Sequence, residues 1–187
     1  MALIAHDCDP DRVVGGRYNP NMDHPPTSVA TRLADEQAIR DLGYRFADAC
    51  TRRETEAFRT LWIPEGVWSI SEPLPTRCEG IEAIVATYSY LLALWDFFVQ
   101  MPHAPVVTVD GDRATSSWTM CEHANSAERA QGYFNYGMYD DVLVRTADGW
   151  RYESRSYTYI YLDETPAAGR PHNFFAATAP VSGPSTG

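Results

Sequence analysis

Between residues 104 and 162 the chain reads as two successive β-hairpins, and this stretch limits the possible folds more than any other. In "APVVTVDGDRATSSWTMCEH" apolar and polar residues alternate on both sides of Asp110-Gly111. In "QGYFNYGMYDDVLVRTADGWRYESRSYTYIYL" they alternate on both sides of Asp148-Gly149. An Asp-Gly pair between alternating runs predicts a tight hairpin turn. The segments before this region have a different period. "ATRLADEQAIRDLGYRFADACTRR" places Leu33, Ala38, Ile39, Leu42, Phe46, Ala49 and Cys50 near helical spacing. "ETEAFRTLW" predicts a short second helix ended by Pro64, and "GVWSIS" a strand. After a proline-containing loop, "GIEAIVATYSYLLALWDFFVQ" predicts a long apolar helix, with Glu82, Ser89 and Asp96 marking it as core rather than membrane span. Helices first and an antiparallel meander last give an α+β fold, with the helices packed on one face of a curved sheet.

The chain of 187 residues fits one domain, and an apolar fraction of 44% with 12% aromatics supplies a core. The domain is expected over 31–163, between an arm at 1–30 and a tail at 164–187. Both flanks are rich in turn residues, and the tail carries Phe174-Phe175 as its apolar feature. A formal net charge of -10 argues against nucleic acid and anionic membrane as partners, since the long-range field repels phosphate. Cys8, Cys50, Cys78 and Cys121 have no metal-binding spacing and read as free thiols, which suggests a reducing, cytoplasmic setting. His6, His24, His103, His123 and His172 are scattered, and no metal site is expected.

The helix "EQAIRDLGYRFADACTRRETEAF", the "LWIPEGVW" step, the "VDGDRA" turn and "GMYDDVLVRTADGWRYESR" occur in an order that resembles the SnoaL-like branch of the NTF2-like superfamily, over roughly residues 34 to 162. Gly137, Tyr139, Asp141, Trp150 and Arg155 fill the places of that family's G-x-Y-x-D strand and the Trp and Arg that follow it. The resemblance implies a cone-shaped α+β barrel enclosing a deep apolar pocket. It also implies chemistry without a metal or organic cofactor, and assembly as a homodimer or homotrimer through the outer face of the sheet. Relatives include dehydratases, isomerases, cyclases and a dehydrochlorinase, and some members do no chemistry. In the dehydratase-like members an Asp–His dyad works beside an Arg. Here the Arg slot is Arg155, the Asp slot falls on Thr51, and the His slot falls near Met101, within reach of His103.

The candidate residues follow from this frame. His103 is the expected base at the pocket mouth, or else a loop histidine holding a carbonyl. Arg155 either steadies negative charge on a substrate or pairs with Asp141, Glu122 or Asp48. Asp48 and Tyr44 share a helix face and would supply the missing acid and a hydrogen bond if that face looks inward; otherwise Asp48 is solvated. Trp118, Met120 and Glu122 share one strand face with Ala114 and Ser116, read as inward, with Glu122 either in the pocket or in water at the strand's end. Tyr133 and Asn135, with Tyr157, Tyr159 and Trp68, would complete an aromatic wall with one polar fixing point. Asp141 and Arg145 read as structural, for which a cross-strand ion pair suffices. The expected function is a cofactor-independent lyase acting on a small hydrophobic, oxygenated substrate. An isomerase or cyclase of a polyketide, steroid or terpenoid, and a non-catalytic binding protein, are the alternatives.

Overall fold

A computed structural model describes residues 28–169. The arm and tail expected at 1–30 and 164–187 lie almost wholly outside them, as do Cys8, His6, His24, His172 and Phe174-Phe175. Ser28 caps the first helix, its hydroxyl accepting from the Thr31 amide, and α1 runs Val29–Arg52. Its buried residues Ile39, Leu42, Phe46, Ala49 and Cys50 carry most of the expected stripe, while Leu33 and Ala38, read into it, are exposed. Arg53 ends the helix in the left-handed conformation and then caps another one: its guanidinium donates to the carbonyls of Leu92 and Trp95 at the end of the helix Ile81–Ala93, α3. The second helix, α2, is only Thr55–Arg59.

Six strands follow in one sheet, in the order β2-β1-β6-β5-β4-β3. They are β1 (Trp62–Ile70), β2 (Thr76–Glu79), β3 (Phe97–Asp110), β4 (Arg113–Ser126), β5 (Gln131–Thr146) and β6 (Gly149–Asp163), with α3 (Ile81–Ala93) between β2 and β3. All neighbours are antiparallel except β1 and β6, and the curved sheet stays open. The order and fold class agree with the sequence; three boundaries do not. Pro64 lies within β1 instead of ending α2. The segment read as a loop contains the edge strand β2. The long helix stops at Ala93, and Phe97–Gln100, read as its last turn, opens β3. A continuous apolar run has no period to separate helix from strand, and this one contains both.

The core lies between the helices and the concave face of the sheet. Phe46 sits at its centre, with its ring centroid 5.2–6.3 Å from those of Phe58, Trp62, Trp68, Tyr139 and Tyr152. Gly43 lets α1 approach the sheet: a Cβ there would lie 2.2 Å from the Trp118 ring. Farther along, Arg145 grips Asp35 of α1 with two 2.7 Å hydrogen bonds and stacks on Trp150, whose indole N–H also donates to Asp35. Arg145 thus pairs with the helix, while Asp141 faces Arg155.

Candidate functional site

The inward face of β4 runs Ala114, Ser116, Trp118, Met120, Glu122, all buried. Cross-strand partners share a face, so the register fixes what surrounds Glu122: Gln100 on β3 and Asn135 on β5 stand directly opposite it. Gln100 Nε2 donates to Glu122 Oε1 at 2.5 Å, and Asn135 Nδ2 donates to Oε2 at 3.0 Å. The Asn135 carbonyl in turn accepts from the Tyr157 hydroxyl at 2.9 Å. Tyr157 can cross the sheet face because residue 137 is glycine; a Cβ there would lie 2.3 Å from its ring.

This network forms one wall of a pocket with about 650 Å³ of empty space, part of it open to solvent. The rest is apolar and aromatic, with Trp68, Tyr133, Tyr139 and Tyr159 from the strands and Leu91 and Trp95 from α3 and the turn after it. Burial raises the Glu122 pKa above the ordinary carboxylate range. The hydrogen bonds of Gln100 and Asn135, the nearby Tyr157 hydroxyl and the charge of Arg155 act against that rise without cancelling it. Burial also pushes the pocket phenols up, Tyr159 to about 12 and Tyr133 and Tyr139 well above their usual value, so they remain hydrogen-bond donors at neutral pH. The arrangement can therefore take a proton on one carboxylate and offer phenol hydrogens to a departing or charged oxygen.

Five of the expected wall residues line this pocket: Trp68, Glu122, Tyr133, Tyr157 and Tyr159. Asn135 stands behind the wall, fully buried, joining Glu122 to Tyr157. The other candidates lie elsewhere. His103 pairs with Thr119 on the opposite face of the sheet and is exposed, so it does not meet the pocket. Asp48 is exposed at the helix surface and bound to Arg52 at 2.7 Å. Tyr44 is 47% exposed, its ring edge-on to Trp118. Tyr44 and Asp48 do share a face, but it is largely exposed, and neither residue lines the pocket. Trp118 and Met120 are buried core residues outside the pocket lining.

Arg155 is 1% exposed and lies beneath the wall. It donates to the Tyr152 hydroxyl at 2.5 Å, and its guanidinium sits 3.9 Å from the Tyr139 ring centroid and 4.1 Å from that of Phe46. Its Nε lies 3.2 Å from Asp141 Oδ1, an ion-pair contact without hydrogen-bond alignment. Burial raises the Asp141 pKa against the pull of Arg155; a guanidinium keeps its proton, and Asp141 is its counter-charge. Of the two readings offered for Arg155, the structural one, a pair with Asp141, describes its placement.

Thr51 has a role that the sequence did not suggest. Its hydroxyl accepts from the Gln100 backbone amide at 3.2 Å. The Asp slot and the neighbourhood of the His slot do meet, but as Thr51 and Gln100, and the carboxylate stands one strand over as Glu122. Gln100 was missed because its segment reads as helix. The signal available was the aromatic and β-branched run Phe97-Phe98-Val99 just after Asp96. Among the described residues, no group of three or more His, Cys, Asp or Glu is placed to hold a metal ion, and no helix is long and apolar enough to cross a membrane.

A search of curated protein sequences gives no match. Solved structures do match. Hexachlorocyclohexane dehydrochlorinase LinA type 2 superposes with a TM-score of 0.70 at 17% identity, over 79% of this chain and 99% of that one. An NTF2-like protein with a cystatin-like fold from Novosphingobium aromaticivorans gives 0.60 at 25% identity, over 74% and 92%. The Kfla4162 protein from Kribbella flavida gives 0.66 at 25% identity, over 71% and 95%. Residues 31–156 match the model of the SnoaL-like domain, and the chain belongs to that family, within the NTF2-like superfamily.

Proposed function

We propose that this protein is a lyase that removes a small group from a compact, hydrophobic, oxygenated substrate, with Glu122 as the base. The observation that carries this reading is a buried carboxylate, held by two amides, in the wall of an otherwise aromatic pocket. Glu122 takes a proton from carbon, the freed pair forms the new double bond, and the leaving group departs with its own bonding pair. A pocket phenol donates a hydrogen bond to that group as it leaves. The likeness to a dehydrochlorinase supports elimination as the reaction type. A second reading, an isomerase, is favoured by one feature: a lone carboxylate can return the proton it takes to another carbon of the same substrate. The outer face of the sheet exposes Val106, Tyr136 and Tyr161, which supports self-association through that face.

The test is turnover, without added cofactor, of a panel of hydroxylated aromatic, steroid and polyketide-like compounds. Glu122→Gln should lower kcat/KM on a turned-over compound by roughly 10²–10⁴-fold, the usual worth of a positioned base. His103→Ala should leave it within about twofold, since His103 lies outside the site. Undiminished turnover in Glu122→Gln would remove the carboxylate from the mechanism. Saturable binding with no turnover across the panel would make the protein a ligand carrier.

A further inference from the structure

Two amides flank Glu122, and they differ in one respect. A carboxylate only accepts, so both turn their NH2 groups toward it and their carbonyls away. The carbonyl of Asn135 is capped by the Tyr157 hydroxyl. The carbonyl of Gln100 is buried, on a residue that lines the pocket, and has no donor among the described residues. Buried acceptors are nearly always satisfied, and one left open beside a catalytic carboxylate calls for a partner. The protein could have closed it as it closed Asn135, with a neighbouring phenol, but it did not. The Gln100 backbone is held by the ladder to β4 and by Thr51, and its Nε2 by Glu122 Oε1 at 2.5 Å, which together fix where the carbonyl lies.

From this asymmetry we infer that Gln100 is the specificity-determining residue of the pocket: its side-chain carbonyl accepts a hydrogen bond from a hydroxyl or N–H carried by the substrate next to the carbon that Glu122 deprotonates. The substrate class is thereby narrowed to molecules bearing a donor on a hydrophobic, ring-sized frame, as opposed to fully halogenated or alkylated hydrocarbons of the same shape. The inference rests on the reading of Glu122 as an ionised base, because that charge sets the direction of the amide. A water on the Gln100 carbonyl would leave the selectivity intact, since a ligand that displaces it without donating loses a hydrogen bond.

The experiment is a calorimetric binding comparison at pH 7 of 2-naphthol and 2-methylnaphthalene, which differ by hydroxyl against methyl. On hydrophobicity alone the methyl compound binds more tightly. The wild-type protein should instead prefer 2-naphthol by about tenfold, and Gln100→Met should lose that preference while still binding 2-methylnaphthalene, which certifies its fold. Gln100→Asn keeps the amide but shortens its reach, and should lose most of the preference too. Equal or reversed affinities in the wild type, or a hydroxyl preference that survives in both variants, would overturn the inference. Turnover is not read here, so failure of the base mechanism shows separately, in Glu122→Gln kinetics.

Discussion

Glu122 is buried with no cation in contact among the described residues; Gln100, Asn135, the nearby Tyr157 hydroxyl and the more distant charge of Arg155 support it, and burial still raises its pKa. That has a consequence for stability that is independent of any substrate. In the unfolded chain a glutamate titrates near ~4.3. Between that value and the raised native one, the folded protein holds more protons than the unfolded, so stability falls as pH rises through the window. Glu122→Gln removes the titration. The stability of the variant relative to wild type should therefore increase with pH above the ordinary carboxylate range, by up to about 1.4 kcal/mol per pH unit inside the window. Denaturant unfolding of both proteins from pH 5 to 9 measures it, and a difference independent of pH would show that the carboxylate is not perturbed. The inward face of Glu122 was legible in the sequence, because strict alternation from Ala114 fixes it. Its burial was not, because nothing in β4 alone shows that amides from two other strands meet it.

At the scale of elements, the site depends on how closely backbones approach. Gly137 leaves room for the Tyr157 ring, and that ring holds Asn135 in place. In Gly137→Ala the new methyl meets rigid ring atoms, not a flexible end, so Tyr157 must shift and the Asn135 carbonyl loses its donor. The expected outcome is a loss of about 1–3 kcal/mol of stability, the range for overpacking, together with a kcat/KM deficit larger than the stability loss explains at a temperature where the variant is folded. Thermal melts and kinetics on the same preparation separate the two, and normal kinetics would mean that Tyr157 does not position the site. The two C-terminal hairpins and α1 were legible, since each repeats its period over many residues. The end of α3 and the start of β3 were not, because Leu94–Gln100 is apolar but for Asp96 and Gln100, carries no clear period, and has its conformation decided by partners: Arg53 on the helix carbonyls and β4 in the ladder. That one boundary hid Gln100. The exposed side of α1 was left open for a related reason: Tyr44 and Asp48 share a face by spacing, but spacing alone does not say which face the sheet covers.

Across the whole molecule, two buried carboxylates respond oppositely to acid: Glu122, in the network that joins β3 to β6 within the sheet, and Asp35, which ties α1 to the sheet. The hydrogen bonds of Arg145, with help from Trp150, hold the Asp35 pKa below the ordinary value despite burial. A depressed carboxylate stabilises the fold above its unfolded pKa, and that contribution is lost as pH falls through the native value. Glu122 acts in the reverse sense at higher pH. Together they predict a stability profile with a maximum between the two windows, falling on the acid side through Asp35 and on the other through Glu122. Asp35→Asn should cost about 2 kcal/mol at pH 7, the scale of hydrogen bonds to a charged group, and should flatten the acid limb while leaving the Glu122 limb in place. Because the tie lies far from the pocket wall along β5, kcat/KM at neutral pH should stay close to wild type once the variant is kept below its melting temperature. An Asp35→Asn profile that keeps its acid limb would assign that limb to another carboxylate. A large loss of activity in the folded variant would show that the docking of α1 on the sheet sets the pocket's shape, and not only its stability.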